Sequence, residues 1–144
     1  MKACLTICIG FTLAFTLASS SQADEYAIIT LNQSIPKISR AKAKMIYTGK
    51  IRAIKSVGRV QLMDWQYNTT ERAAFYRKLT NKSMAQINSL WASAAFSGRA
   101  TPPIPLQDTS PKAIEAWLLK HHNGIAYVPR KDIPTNSKVL LIVE

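Results

Sequence analysis

Cysteine is almost missing from this chain. Its two copies, Cys4 and Cys8, both precede residue 23, so the rest of the 144 residues carries neither a disulfide nor a thiol nucleophile. Stability must therefore come from packing, for which Trp65, Trp91 and Trp117 and several Tyr and Phe supply the bulk. Glycine is scarce as well, with five in all. None is arranged as a Gly-x-x-x-x-Gly-Lys-Ser phosphate cradle or a Gly-x-Ser-x-Gly elbow. The two histidines, His121 and His122, are adjacent. On a helix they point about 100° apart, which does not suit a shared metal ion, and there is no His-Glu-x-x-His pair. The eight acidic residues are dispersed. These absences point away from enzymatic activity, and neither a metal nor a cofactor is expected.

Long apolar runs are also lacking after the first 23 residues. Met1-Lys2, the apolar stretch Ala3 to Ala18 and the small residues of Ser21-Gln22-Ala23 form a secretory signal peptide, cut before Asp24. The stretch is too short, and too soon followed by polar residues, for a membrane anchor. The mature chain is thus expected to be periplasmic and not an integral membrane protein. Removing 23 residues leaves 121, enough for one domain with a real core, spanning 24–144.

What the chain has in excess is positive charge. There are 19 Lys and Arg against 8 Asp and Glu. Losing Lys2 with the leader leaves 18 against 8, a formal +10. Such a charge draws anions: phosphate-like ions, acidic polysaccharide, anionic lipid or nucleic acid. Export and the absence of any run of five basic residues argue against nucleic acid as the partner.

Apolar spacing then sets out the elements. YAIITL, from Tyr26 to Leu31, is a buried first strand. Ser39 caps a helix to about Thr48 with Ile38, Met45 and Ile46 inward and Gly49 ending it. No element is assigned to 50–56. Arg59 to Met63 forms a strand, and a helix beginning near Asn68 buries Phe75 and Leu79. Ser83 caps a third helix with the apolar stripe Met84, Ile87, Leu90, Trp91, Ala94 and Ala95, closed by Gly98. Pro102, Pro103 and Pro105 mark an extended surface loop. Ser110-Pro111 starts a helix with Ile114, Trp117, Leu118 and His121 at core spacing. Ile125 to Val128 and Val139 to Val143 are strands. Strand and helix alternate, which argues for an α/β layered domain.

The junction of the Arg59–Met63 strand with the helix after it is the candidate site. A helix start offers unpaired backbone N–H groups and the positive end of its dipole, the natural place for an anion. Asn68, Thr69 and Thr70 add polar side chains and Arg72 a planar fork suited to a tetrahedral oxyanion. The alternative is an ordinary capping box, with Asn68 as cap and Glu71 reaching back.

Four segments carry a resemblance. Lys44-Met45-Ile46-Tyr47-Thr48-Gly49-Lys50-Ile51 is similar to a helix ending in Ile-Phe-x-Gly-Lys-Ile, and Thr69-Thr70-Glu71-Arg72-Ala73-Ala74-Phe75 to Ser-Gly-Thr-Arg-x-x-Phe. Residues 91–103, WASAAFSGRATPP, are similar to Trp-x-x-x-x-Phe-x-Gly-Arg-x-x-Pro-Pro, and Asn123-Gly124-Ile125-Ala126-Tyr127-Val128 to Pro-Gly-x-Ile-Gly-Tyr-Val. In this order they resemble the phosphate-binding-protein-like domain of ABC-transport substrate-binding proteins, and more closely the short, single-domain exported members described as phosphate ABC transporter substrate-binding proteins.

The resemblance implies an α/β fold: a single lobe of a type II periplasmic binding protein, with a mixed sheet flanked by helices. It also implies reversible binding of phosphate or a similar oxyanion at the helix start, linked to ABC-type phosphate uptake. Thr69 matches the family's serine ligand and Arg72 its arginine, while Thr70 stands where the family has glycine and Glu71 where it has threonine. Ser34, after the first strand, is a further candidate ligand. A carboxylate about 4 Å from the anion would cost about 4 kcal/mol at an effective dielectric of about 20, so Glu71 must turn away or pair. Two-lobed binding proteins close around their ligand. One lobe leaves it wet, and an ABC permease, an envelope protein or a second copy in a homodimer would have to complete the cleft. The alternative function is a periplasmic envelope interaction module with a degenerate ligand site, using the Pro-rich loop and the basic surface.

Overall fold

A computed structural model describes residues 25–144; the signal-peptide reading of residues 1–23 lies outside the described residues. The elements, in chain order, are β1 (Tyr26–Thr30), α1 (Arg40–Tyr47), β2 (Ala53–Ile54), β3 (Gly58–Arg59), β4 (Gln61–Asp64), α2 (Thr70–Thr80) and α3 (Met84–Phe96). They continue with β5 (Ile104–Pro105), α4 (Pro111–Lys120), β6 (Gly124–Pro129), a 3-10 turn at Arg130–Asp132 and β7 (Lys138–Val143).

Five strands form one mixed sheet in the order β5-β4-β6-β1-β7. β4 runs parallel to β5 and β6, whereas β1 is antiparallel to both β6 and β7. β4 and β6 can be parallel because the long crossover between them carries α2, α3 and α4. β1 is buried along its whole length, as its unbroken apolar run requires. β2, inside the unassigned stretch 50–56, pairs with β3 in a small separate hairpin. Arg59, expected in one strand with Met63, therefore belongs to β3, and the strand of the main sheet is Gln61–Asp64.

Helix starts follow the capping side chains. Ser39 accepts from the Lys42 N–H, Ser110 from the Ala113 N–H ahead of a helix opening on Pro111, and Ser83 with Gln86 forms a full capping box. Gly49 ends α1 at φ +74°, where an added Cβ would also press on the Trp91 ring.

Some expectations need correcting. Met45 is 40% exposed, because Ala43, Ile46 and Tyr47 take the inward face of α1. Ala95 is exposed, the stripe of α3 narrowing to Ile87, Trp91 and Ala94. His121 is only half-buried, its ring stacked on Trp117 at 4.3 Å. The Pro-rich loop is not all surface. Ile104 and Pro105 add an edge strand to β4, and Pro103 is buried. Proline fits there because an edge strand leaves one row of donors unused.

The middle of the core is aromatic. Phe75 stacks on Tyr127 with centroids 3.6 Å apart and rings within 5° of parallel, and Tyr26, Tyr47 and Tyr76 meet Phe75 edge-on. β6 begins at Gly124 because nothing larger fits: a Cβ there would lie 2.7 Å from the His121 carbonyl oxygen and 2.8 Å from the Trp117 ring. Gly124→Ala is expected to destabilise the fold by about 1–3 kcal/mol through overpacking, read as a lower urea midpoint at unchanged slope.

Candidate functional site

β4 ends at Asp64, and the chain turns through Trp65–Thr69 into α2. Ligands of α/β sheets gather beyond the carboxyl ends of parallel strands, and this junction lies there. The helix start differs from the capping box. Thr69, not Asn68, is the N-cap, and its side chain caps no N–H of the helix. Instead the Thr69 hydroxyl donates backward to the Gln66 carbonyl at 2.9 Å. Thr70 is exposed, and its hydroxyl donates to Glu71 Oε2 at 3.2 Å. Glu71, one position too early to reach back over the cap, stays half-exposed beside Thr70. The first N–H groups of α2 therefore have no side-chain acceptor. That is the feature an anion would use.

Arg72 turns inward. It is 2% exposed, and its Nε–H donates to Asp64 Oδ2 at 2.8 Å across the strand–helix junction. Nη1 and Nη2 both reach Asn88 Oδ1 on α3, at 3.3 and 3.2 Å, and the guanidinium lies over the rings of Tyr67 and Tyr76. Asp64 is itself held from several sides. Its Oδ1 accepts from the Trp65 N–H at 2.9 Å and from the Tyr127 hydroxyl. Burial pushes the Asp64 carboxyl above the usual carboxylate range, and Arg72 together with these hydrogen bonds holds it partway back. The same burial, with Asp64 nearby, raises Tyr127 and Tyr76 well above the ordinary phenol range, so both stay protonated donors.

Asp64, Tyr67, Arg72 and Asn88 face a hollow of about 230 Å³ closed by Trp91 and the prolines of the 102–105 loop. Arg72 thus lines this hollow, but not as a free fork: the chain's own carboxylate neutralises it. The carboxylate is Asp64 rather than Glu71. The two residues are only eight apart, yet periodicity does not pair them because one closes a strand and the other lies in a helix. Asn88 left a trace in the sequence, since it falls between Met84 and Trp91 at helical spacing and interrupts the apolar face of α3.

Ser34 does not join the site. β1 is antiparallel to β6, so its last residue, Thr30, bonds the Gly124 carbonyl at the start of β6. Gln61, the first residue of β4, sits beside the same Gly124. Ser34 follows β1 at that end of the sheet, where its N–H donates to Asn32 Oδ1 and Asn32 in turn reaches Asn123. Thr69, Thr70 and Arg72 follow the opposite end of β4. Asn68 is exposed on the approach to α2. Among the described residues no group of three or more His, Cys, Asp or Glu is placed to hold a metal ion, and no helix is long and apolar enough to cross a membrane.

No family model matches the sequence, and no curated protein matches it. Solved structures do. An ABC-type phosphate transport receptor from Vibrio cholerae superposes over 81% of this chain with a TM-score of 0.60 at 12% identity. A phosphate ABC transporter substrate-binding protein with bound phosphate from Clostridium perfringens covers 82% with a TM-score of 0.59 at 18% identity. The fold is a type II periplasmic-binding-protein lobe. This chain spans 45% of the length of each of those proteins. At such identities the likeness is one of fold, the mixed sheet and its flanking helices.

Proposed function

We propose that the lobe is a periplasmic solute-binding-like protein, exported by its signal peptide, that reversibly binds phosphate or a similar inorganic oxyanion at the start of α2. The observation that carries this reading is the uncapped helix start beyond β4, in a fold matched by a protein holding phosphate. Binding would be by hydrogen bonds and dipole, without covalent chemistry. The backbone N–H groups after Thr69 would be the donors, joined by the Thr69 and Thr70 hydroxyls on turning from Gln66 and Glu71 to the anion. Arg72, its Nε–H taken by Asp64 and its Nη1 and Nη2 each reaching Asn88, would contribute only the remaining N–H of those two nitrogens. A net-neutral pair in an open lobe implies weak binding, in the millimolar range. An ABC permease or a second copy would then act by completing the cleft, and phosphate uptake is the process this would serve.

Thr70→Asp tests the reading without touching the core. A carboxylate in the first turn suits the helix dipole, so the fold is retained, but it repels an anion from the same N–H groups. Isothermal titration with phosphate and then sulfate is expected to show binding by the native protein that is lost in Thr70→Asp at unchanged melting temperature. Absence of heat and of any melting shift at saturating phosphate would remove the proposal.

A second reading has its own support in the Asp64 carboxylate, which already occupies the place of an anion beside Arg72. In that case the site is degenerate and the lobe is an envelope interaction module. Capture of one specific envelope protein, equally by the native chain and by Thr70→Asp, would favour it.

A further inference from the structure

The acidic residues are distributed very unevenly in space and in sequence. From Tyr26 to Met63 the chain carries Lys37, Arg40, Lys42, Lys44, Lys50, Arg52, Lys55 and Arg59 and no acid at all. From there to Gln107 the acids are Asp64, consumed by Arg72, and Glu71 at the α2 start. The other acids of the described chain, Glu25, Asp108, Glu115, Asp132 and Glu144, belong to β1's start and to the segments after residue 107.

The excess converges on an open hollow of about 710 Å³ between the last turns of α1 and α3, rimmed by Lys50, Arg52 and Arg99 with no carboxylate in its lining. None of these three cations belongs to either ion pair found among the described residues. The two arginines are held by neutral partners: Arg52 donates to the Arg99 carbonyl, and Arg99 to the hydroxyls of Ser97 and Ser93. Two helix C-termini face the same hollow and contribute about −0.5 each, so their total of about −1 offsets only one of the three cations. Phe96, three residues beyond Ser93 on α3, is 97% exposed, and Met45, on the last turn of α1, is 40% exposed. A bulky aromatic standing in water next to unpaired cations matches a membrane interface, where the cations meet headgroup phosphates and the ring enters the acyl boundary.

We propose that this face docks the lobe on an anionic phospholipid surface, with Lys50, Arg52 and Arg99 as the electrostatic contacts and Phe96 as the inserted anchor. The hollow is wide and open, and the Arg99 donors are already engaged, which suits an extended charged surface better than one small ion. A nucleic acid or acidic polysaccharide would use the cations but leave Phe96 in water. The proposal is independent of anion binding at α2, which lies at a helix start, whereas this hollow lies at two helix ends.

The test is co-sedimentation of the exported protein with phosphatidylcholine vesicles prepared with and without phosphatidylglycerol. The native protein is expected to sediment only with phosphatidylglycerol vesicles and to be released by salt. Each of Lys50→Glu, Arg52→Glu and Arg99→Glu should lower the partition at least about fivefold, the factor for loss of one cation. Phe96→Ser should weaken binding without changing its salt dependence. The triple variant Lys112→Glu, Lys120→Glu, Lys131→Glu lowers the net charge by six units, against two for each single variant, on other exposed positions and should sediment like the native protein. All substituted side chains are exposed, so unchanged circular dichroism is expected throughout. Equal sedimentation of the Lys50, Arg52 and Arg99 variants with the native protein, loss in the control triple, or retention on DNA or an acidic polysaccharide without vesicle binding would each overturn the proposal. None of these results bears on the Thr70→Asp titration.

Discussion

Asp64→Ala is expected to cost about 3–5 kcal/mol of folding stability, because it leaves the 2% exposed guanidinium of Arg72 in the interior without its carboxylate. The arginine cannot escape by deprotonating, so the loss should hardly change with pH. Arg72→Ala should behave differently. It strands Asp64, but a carboxyl whose proton affinity burial already raises can take a proton, and removing Arg72 raises that affinity further. The cost of Arg72→Ala should therefore shrink as pH falls toward the Asp64 titration, while that of Asp64→Ala stays. Urea unfolding of both variants across pH measures the contrast. The double variant should lose less than the two single losses added together, since each single change leaves one buried charge alone. Additive losses, or a flat pH response for Arg72→Ala, would mean that the pair does not carry the junction.

The second large effect is expected at Phe75. Its ring is fully buried, stacked on Tyr127 and met edge-on by Tyr26, Tyr47 and Tyr76. Phe75→Ala should cost about 3–5 kcal/mol through lost transfer and the cavity left behind, measured by the same unfolding assay. Phe75→Leu should recover a large part of that by refilling volume. The substitution should also be felt at the site, because Tyr127, which the Phe75 ring supports, donates its hydroxyl to Asp64. A phosphate response that weakens in Phe75→Leu, which removes no donor to the anion, would trace the path from core packing to the start of α2.

Short-range chemistry explains which elements were legible. Ser39, Ser83 with Gln86, and Ser110 with Pro111 each mark a helix start within one turn, and each helix formed where its cap stands. β1, β6 and β7 announced themselves as short apolar runs bounded by turn residues. The α2 start was found but its cap shifted by one residue, since Asn68, Thr69 and Thr70 all qualify and the choice fell to the Thr69 hydroxyl's bond with Gln66. The two-residue strands β2, β3 and β5 were not legible, because a pair of residues has no period and β5 exists only as an edge added to β4.

By itself the sequence determined the polar junction at Thr69–Arg72, the excess of positive charge, and an alternating α/β order. Only the tertiary structure decided what that junction contains. Strand direction separates Ser34 from it, since β1 runs against β6 and ends at the other side of the sheet. Strand–helix closure brings Asp64 onto Arg72, and the β4–β6 pairing brings Tyr127 onto Asp64 from 63 residues away. Caps and periodicity act within a few residues, so they locate elements; a charge pair and a strand's direction depend on contacts between elements, and no local pattern encodes them.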